Sequence, residues 1–257
     1  MEKKDYKQIL ALRKFDVSKV PKQPHISFTI DGKIIAQLNS YAVFTGPAKS
    51  GKSTFLMATI ASALIPHYQD IWGIKLHLPE DRKRIGYFDT ESSEFDFYKN
   101  IEKIKKFNTE KKIPKTLDCF NVREDDPKDI KLMIEEYLKE NADCSILVID
   151  GFLDLIFDYN DVMESRQLTN WLKRITKIYK ICLLGVLHIG KGNNQTLGHL
   201  GSNTDRWANS TLLVEKNKET KQFTLKPKFL RSDEDFDPIA ITNLDGHWIK
   251  EIYKQPI

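Results

Sequence analysis

The stretch Tyr41-Ala42-Val43-Phe44-Thr45-Gly46-Pro47-Ala48-Lys49-Ser50-Gly51-Lys52-Ser53 decides the fold. A short β-forming run, 41–45, leads straight into a loop of the pattern GxxxxGKS, and residues 52–65 then read as a helix that ends before Pro66. Strand, glycine-rich turn and helix in that order make a phosphate-binding loop. The glycines let backbone N–H groups wrap phosphate oxygens, and the helix N-terminus adds positive potential. Lys52 is placed to reach the β- and γ-phosphates and Ser53 to put its hydroxyl on Mg²⁺. Gly46, Pro47, Ala48, Lys49, Ser50 and Gly51 complete the cradle, where Lys49 is an extra cation that either assists the phosphates or faces solvent. The ligand implied is ATP with Mg²⁺.

Outward from this loop, strand and helix patterns alternate. Residues 25–30 and 33–38 flank Asp31-Gly32, a two-residue hairpin turn. Strands at 85–89, 117–122, 145–150 and 181–187 are separated by helices at 93–107, 127–140 and about 162–179. Residues 190–203 are rich in glycine and asparagine and predict a mobile loop. Short alternating runs at 210–215, 222–226, 239–242 and 248–252 predict antiparallel strands. The expected fold class is α/β, three-layered, with a mostly parallel central sheet and antiparallel C-terminal strands. No repeat or long linker interrupts it, so the expected division is a basic helical arm over 1–24, with its helix at 5–14, and one domain over 25–257.

Composition supports a single ordinary globular domain. The 257 residues are 40% hydrophobic and 30% charged, enough for a full core without staples. No run is long enough to cross a bilayer, and Met1-Glu2-Lys3-Lys4-Asp5 has no apolar segment of a signal peptide behind it. Cys119, Cys144 and Cys182 are widely spaced and form no CxxC, which fits free thiols in a reducing cytoplasm. The formal charge of +4 does not by itself point to nucleic acid. Its distribution is uneven: Lys99, Lys103, Lys105, Lys106, Lys111, Lys112 and Lys115 cluster against Glu102 and Glu110, either as a solvated helix face or as a surface for phosphates.

Two carboxylates complete the chemistry. Ser145-Ile146-Leu147-Val148-Ile149-Asp150 is apolar up to its last residue, the pattern of a central strand buried on both faces, and Asp150 at its end is placed to hold Mg²⁺ through water. Hydrolysis also needs a base for the attacking water. The residue after Asp150 is Gly151, so no carboxylate follows there. Glu91, just past the strand in Tyr87-Phe88-Asp89-Thr90-Glu91, can fill the role from a neighbouring strand. Thr90, Glu91 and Ser92 also suit a helix N-terminus, which is the plainer reading of the same residues.

At this point the chain resembles the RecA-like P-loop ATPases, and within them the RepA-type and DnaB-type hexameric helicase branch, over roughly residues 25–250. The resemblance rests on the phosphate loop, Asp89-Thr90-Glu91, the strand ending at Asp150, and Val186-Leu187-His188-Ile189-Gly190-Lys191-Gly192 with Gly198-His199-Leu200-Gly201-Ser202. The stretch through Asp154, Leu155, Asp158 and Asn160 is similar to RepA-like ATPases of bacterial mobile elements. The resemblance implies that Glu91 is the catalytic carboxylate and that His188 senses the γ-phosphate and passes its state to the next loop. It implies that 190–206 meets DNA, through Lys191, Asn193, Asn194, Gln195, His199 and Arg206. It also implies that Lys228 or Arg231 enters a neighbouring subunit's ATP site, although the spacing Lys228-x-x-Arg231 is wider than the family's Lys-x-Arg.

The function expected is an ATP-driven motor or switch on single-stranded DNA, a homo-oligomer, most simply a hexameric ring, serving replication or mobilisation of a plasmid or mobile element. Aromatic side chains for base stacking are absent from 190–206, with Trp207 the first, which leaves open an adaptor ATPase that binds protein partners. A small-molecule kinase would carry an arginine-rich lid, and none is present. The phosphate loop begins at residue 46, so the expectation is that no collar domain precedes it; the helix at 5–14 is the segment expected to swap onto a neighbour.

Overall fold

The computed structural model describes residues 5–108, 111–189 and 198–253. The helix α1 (Tyr6–Arg13) is capped by Asp5, whose carboxylate accepts from the N–H groups of Lys7 and Gln8, and it buries none of its residues. The hairpin follows as β1 (Ile26–Ile30) and β2 (Lys33–Gln37), turning at Asp31 and Gly32, both at positive φ. Next, β3 (Ser40–Gly46) leads into the loop and α2 (Lys52–Ser62). This helix stops short of the predicted 52–65. The Ser62 hydroxyl donates to the Thr59 carbonyl at 2.7 Å and accepts from the Leu76 N–H at 2.8 Å, which ties the last turn to β4 (Ile74–Leu76). The pattern of the sequence does not single out β4; it pairs antiparallel with β1 in a small three-stranded sheet.

The predicted alternation then holds through β5 (Arg84–Asp89), α3 (Glu94–Phe107), β6 (Leu117–Asn121), α4 (Pro127–Glu140), β7 (Cys144–Asp150), α5 (Val162–Ile178) and β8 (Cys182–His188). Ser93 and Asp161 cap α3 and α5 by accepting from the N–H groups of Asp96 and Glu164. One expectation is corrected. Residues 198–203 are not loop but the first part of α6 (Gly198–Trp207). Its glycines, serine and asparagine are poor helix formers, yet Leu200 and Thr204 are fully buried where α6 packs on α5, and that burial outweighs propensity.

The chain ends in β9 (Ser210–Lys216), β10 (Phe223–Leu230), β11 (Ile239–Leu244) and β12 (His247–Glu251). The nine-stranded sheet has the order β12-β11-β10-β9-β3-β8-β7-β5-β6. The six strands from β9 to β6 run parallel, and β10, β11 and β12 are antiparallel additions. One face carries α2, α3 and the small sheet over a core that includes Phe28, Phe44, Phe55, Leu56, Ile60 and Ile104. The other carries α4, α5 and α6 over Ile130, Ile134, Leu168, Leu172 and Leu200. The three layers, the mostly parallel sheet and the antiparallel C-terminal strands are as expected. Among the described residues, no helix is long and apolar enough to cross a membrane.

Strand register fixes the site. At the carboxyl ends of the parallel strands, His188 lies opposite Gly46 and Asp89 opposite Asp150. Ligands of open α/β sheets gather at these ends. The chain leaving β7 folds back over β8: the Phe152 N–H donates to the Val186 carbonyl at 2.9 Å, and the Phe152 ring covers Gly185, where a Cβ would run into Cζ and Cε1. Gly185→Ala is therefore expected to overpack this contact and cost about 1–3 kcal/mol. Urea unfolding reads this as a lower midpoint at an unchanged slope; an unchanged midpoint would show that the ring gives way freely.

Candidate active site

The loop after β3 uses two left-handed backbone positions. Lys49 has φ 61° and Gly51, the residue before α2, φ 97°. A Cβ on Gly51 would also come within 2.6 Å of the Phe223 ring, so glycine is required there twice over. Pro47, Ala48 and Lys49 are exposed, whereas Ser50 is buried and its hydroxyl has no hydrogen-bond partner.

Lys52 is nearly buried and lies across the loop. Its ammonium donates to the carbonyls of Gly46 (3.0 Å) and Pro47 (2.8 Å) and to His188 Nδ1 (3.2 Å). An ammonium only donates, so Nδ1 accepts and Nε2 carries the imidazole proton. That Nε2 donates to the Glu91 carboxylate at 3.1 and 3.2 Å. One histidine therefore joins the loop lysine to the carboxylate beyond β5. Burial lowers the Lys52 pKa to about 8, against the opposing pull of Glu91 and Asp150.

Asp150 is the most constrained charge of the site. Burial pushes its carboxyl up to about 8, Asp89 and Glu91 push the same way, and a hydrogen bond from Ser53 and the charge of Lys52 oppose them. A carboxylate and a hydroxyl side by side are hard oxygen donors that suit Mg²⁺, which keeps water and phosphate oxygens for its remaining positions. The concentration of negative charge around Asp150 favours a divalent cation there, so the residues present fit the metal.

Gly151 explains why no carboxylate follows Asp150. Its φ is 121°, and a Cβ there would collide with Thr90 Oγ1 and come within 2.7 Å of Asp154 Oδ2 and 2.9 Å of Glu91 Cγ. The space beside Asp150 is thus taken by Thr90 and Glu91 from the adjoining strand. The Thr90 hydroxyl lies within reach of three acceptors: Asp154 Oδ2 at 2.7 Å and the carbonyls of Asp150 and Gly151 at 2.9 and 3.1 Å.

A pocket of about 290 Å³ takes in the loop from Lys49 to Thr54 with Glu91, Asp150 and His188, and is closed by Lys103, Phe223 and Trp248. Two larger cavities open on either side of Trp248. One of about 750 Å³ lies between Pro47–Ser50 and the lysines 216, 218 and 221, and one of about 650 Å³ lies between α3 and the β11–β12 turn. Phe223 and Trp248 meet edge to face, 5.2 Å between ring centres. In the sequence Lys103 stands only within a basic cluster, and nothing marks Phe223 and Trp248. Their local pattern does not place them at the loop, because strand pairing far along the chain brings them there.

The match to known proteins agrees with this geometry. The AAA domain family, AAA_25, matches residues 11–194, which span the phosphate loop, Glu91, Asp150 and His188. The chain belongs to that family. It is a P-loop ATPase domain. Its fold is similar to the solved ATPase domain of a DnaB-like helicase, with a TM-score of 0.59 over 84% of this chain and 86% of that one, at 10% sequence identity. This likeness shows a shared RecA-like fold. No curated protein matches the sequence.

Not every residue singled out from the sequence reaches the site of this AAA domain. Glu91, Lys52, His188, Ser53 and Asp150 come together around the loop. Lys228 and Arg231 do not: β10 runs antiparallel to β9, so Phe223 sits at the loop and Leu230 at the far end of the sheet. There Lys228 pairs with Asp205 at 2.9 Å, and Arg231 donates to the Arg206 carbonyl. His199 is exposed on α6, and Trp207 at its end lies under the Lys173 ammonium, 3.8 Å from the ring centre. Lys191, Asn193, Asn194 and Gln195 lie outside the described residues. Cys119, Cys144 and Cys182 are free.

The raised pKa of Asp150 has a thermal consequence. The unfolded carboxyl ionises near 3.8 and the folded one near 8. Between these values the folded state holds the extra proton, so stability falls as pH rises. Asp150→Asn removes this penalty. The nucleotide-free variant is expected to melt higher than the parent by a margin that grows from about pH 4 to about pH 8 and then levels. Melting curves across that range check it, and a margin that is flat or shrinks would contradict the assignment.

Proposed function

We propose that this chain is an ATP-hydrolysing motor or switch that acts on single-stranded DNA as a homo-oligomer, most simply a hexameric ring, in replication or mobilisation of a plasmid or mobile element. The observation that carries the reading is the hydrogen-bonded line Lys52–His188–Glu91. His188 ends β8 and stands immediately before the segment that leads into α6. One side chain thus touches the phosphate lysine and the water-activating carboxylate, and its backbone opens the path to α6. This is the arrangement a nucleotide-state sensor needs.

In the proposed cycle the loop N–H groups and Lys52 hold the triphosphate, and Lys52 exchanges its bonds to the Gly46 and Pro47 carbonyls for phosphate oxygens. Ser53 and Asp150 would hold Mg²⁺, which neutralises charge on the β- and γ-phosphates when bound. Glu91 orients the attacking water and takes its proton. The loss of Lys52 from His188 frees the imidazole to follow the γ-phosphate. Arg231, exposed at the other end of β10, is the better placed of the two C-terminal cations to serve the site of a neighbouring copy, since Lys228 is already paired.

One set of measurements tests this reading: ATP turnover with and without single-stranded DNA, alongside the mass of the ATP-bound protein. The expectation is an oligomer whose turnover rises with DNA. Glu91→Gln should bind nucleotide and lose turnover, and Arg231→Ala should lose turnover while keeping nucleotide. A strictly monomeric species or normal turnover by Glu91→Gln sinks the mechanism, and an oligomer indifferent to DNA points instead to an adaptor ATPase.

The nucleoside is proposed to lie against Trp248, the wall shared by the phosphate pocket and both larger cavities. Trp248→Ala should then weaken ATP binding by about tenfold, the loss of one ring contact of roughly 1.4 kcal/mol, at nearly unchanged kcat. Titration with a fluorescent ATP analogue reads this; parental affinity would move the nucleoside elsewhere.

A further inference from the structure

Asp89 takes no part in the chemistry described so far, yet it is a fully buried carboxylate two residues from Glu91. Each of its oxygens is used. Oδ1 accepts from the backbone N–H groups of Glu91 at 3.1 Å and Ser92 at 2.8 Å. Oδ2 accepts from the Tyr87 hydroxyl at 2.9 Å and lies 3.5 Å from the Asn100 amide. Tyr87 stands on the same strand and Asn100 on α3, so the carboxylate is itself held by two elements.

This pattern does a definite job. Glu91 lies in neither helix nor strand; it sits in the short turn between β5 and α3. A turn of this kind would wander without fixed partners. Here it is held from both sides: Asp89 grips the N–H groups of residues 91 and 92, and Thr90 is bonded to the end of β7 through its own N–H (3.2 Å to the Asp150 carbonyl) and its hydroxyl. The side chain of Glu91 then emerges against Gly151, where a Cβ would touch its Cγ.

We infer that Asp89 is a positioning residue that sets Glu91 for catalysis by clamping the N–H groups of Glu91 and Ser92. The inference rests on Glu91 being the base. Its consequence is a loss in kcat without a loss in nucleotide affinity, because the phosphate loop and Lys52 receive no hydrogen bond from Asp89. A displacement of about 1 Å in the base is enough to cost about a hundredfold in rate.

The test compares Asp89→Ala, Asp89→Leu and Asp89→Asn in the full chain, for kcat, KM and affinity for a fluorescent ATP analogue. Alanine removes the acceptors. Leucine does the same at similar shape, and carries the comparison should the alanine variant not fold. Asparagine keeps one carbonyl oxygen for the two N–H groups. Alanine and leucine should lower kcat by about tenfold to a hundredfold at parental nucleotide affinity, and asparagine should recover most of it. Adding Asp89→Leu to Glu91→Gln should cost nothing further, since a misplaced base and a missing base fail alike. Parental kcat in Asp89→Leu overturns the inference. So does equal loss in the asparagine variant, or loss of nucleotide binding in step with kcat. If Glu91→Gln turns over normally, the base assignment fails on its own; if it is dead while Asp89→Leu is normal, only the clamp fails.

Discussion

The site is organised around a charge kept out of water. Asp150 ends a strand whose residues are all buried, and its carboxyl is opposed by one ammonium while two further carboxylates crowd it. Such a group is costly to hold ionised in a low-dielectric interior. The neighbours answer that cost in part: Ser53 hydrogen-bonds it and Lys52 lies across the loop. The remaining imbalance makes the pocket receptive to cations, as the chemistry of a Mg²⁺–triphosphate requires. A protein that only stored a phosphate would have no reason to gather Asp89, Glu91 and Asp150 at the ends of two adjoining strands.

The parallel sheet sets the distances. With Asp89 opposite Asp150 and His188 opposite Gly46, the ends of four strands, β3, β8, β7 and β5, deliver a loop, a sensor, a metal carboxylate and a base to one place. Each side chain then needs little further help. Gly151 is the clearest instance, because it contributes by lacking a side chain. The same backbone turn with alanine would push Thr90 and Glu91 away from Asp150.

The sheet ends are also what a sequence can reveal. The loop signature, the apolar run to Asp150 and the Glu91 turn are local in the chain, and so are most strands and helices, whose periodicity is set by the faces they bury. The rest depends on distant pairing. β4 is three residues long and exists because β1 and Ser62 receive it. α6 is built from weak helix formers and is held by the burial of Leu200 and Thr204 on α5. Trp248 and Phe223 reach the pocket because β10, β11 and β12 extend the sheet beside β9, a fact that no window of a dozen residues contains. Lys103 is visible in the sequence only as one lysine among many; the packing of α3 on α2 brings it, and not its neighbours, to the phosphate pocket.

The cations of the site are all lysines. Among the described residues lining the phosphate pocket, Lys49, Lys52 and Lys103 are the positive side chains, and no arginine joins them. A lysine is a point charge, whereas the planar fork of arginine suits an oxygen-rich phosphoryl group in transfer. The nearest arginine on the strand that walls the pocket is Arg231, and it lies at the wrong end: from Phe223 to Arg231 an extended strand spans roughly 25 Å. No rotamer closes such a gap. Whatever Arg231 does for a triphosphate, it does for one bound to another copy of the chain, and the hexameric reading and the arginine's role therefore stand or fall together.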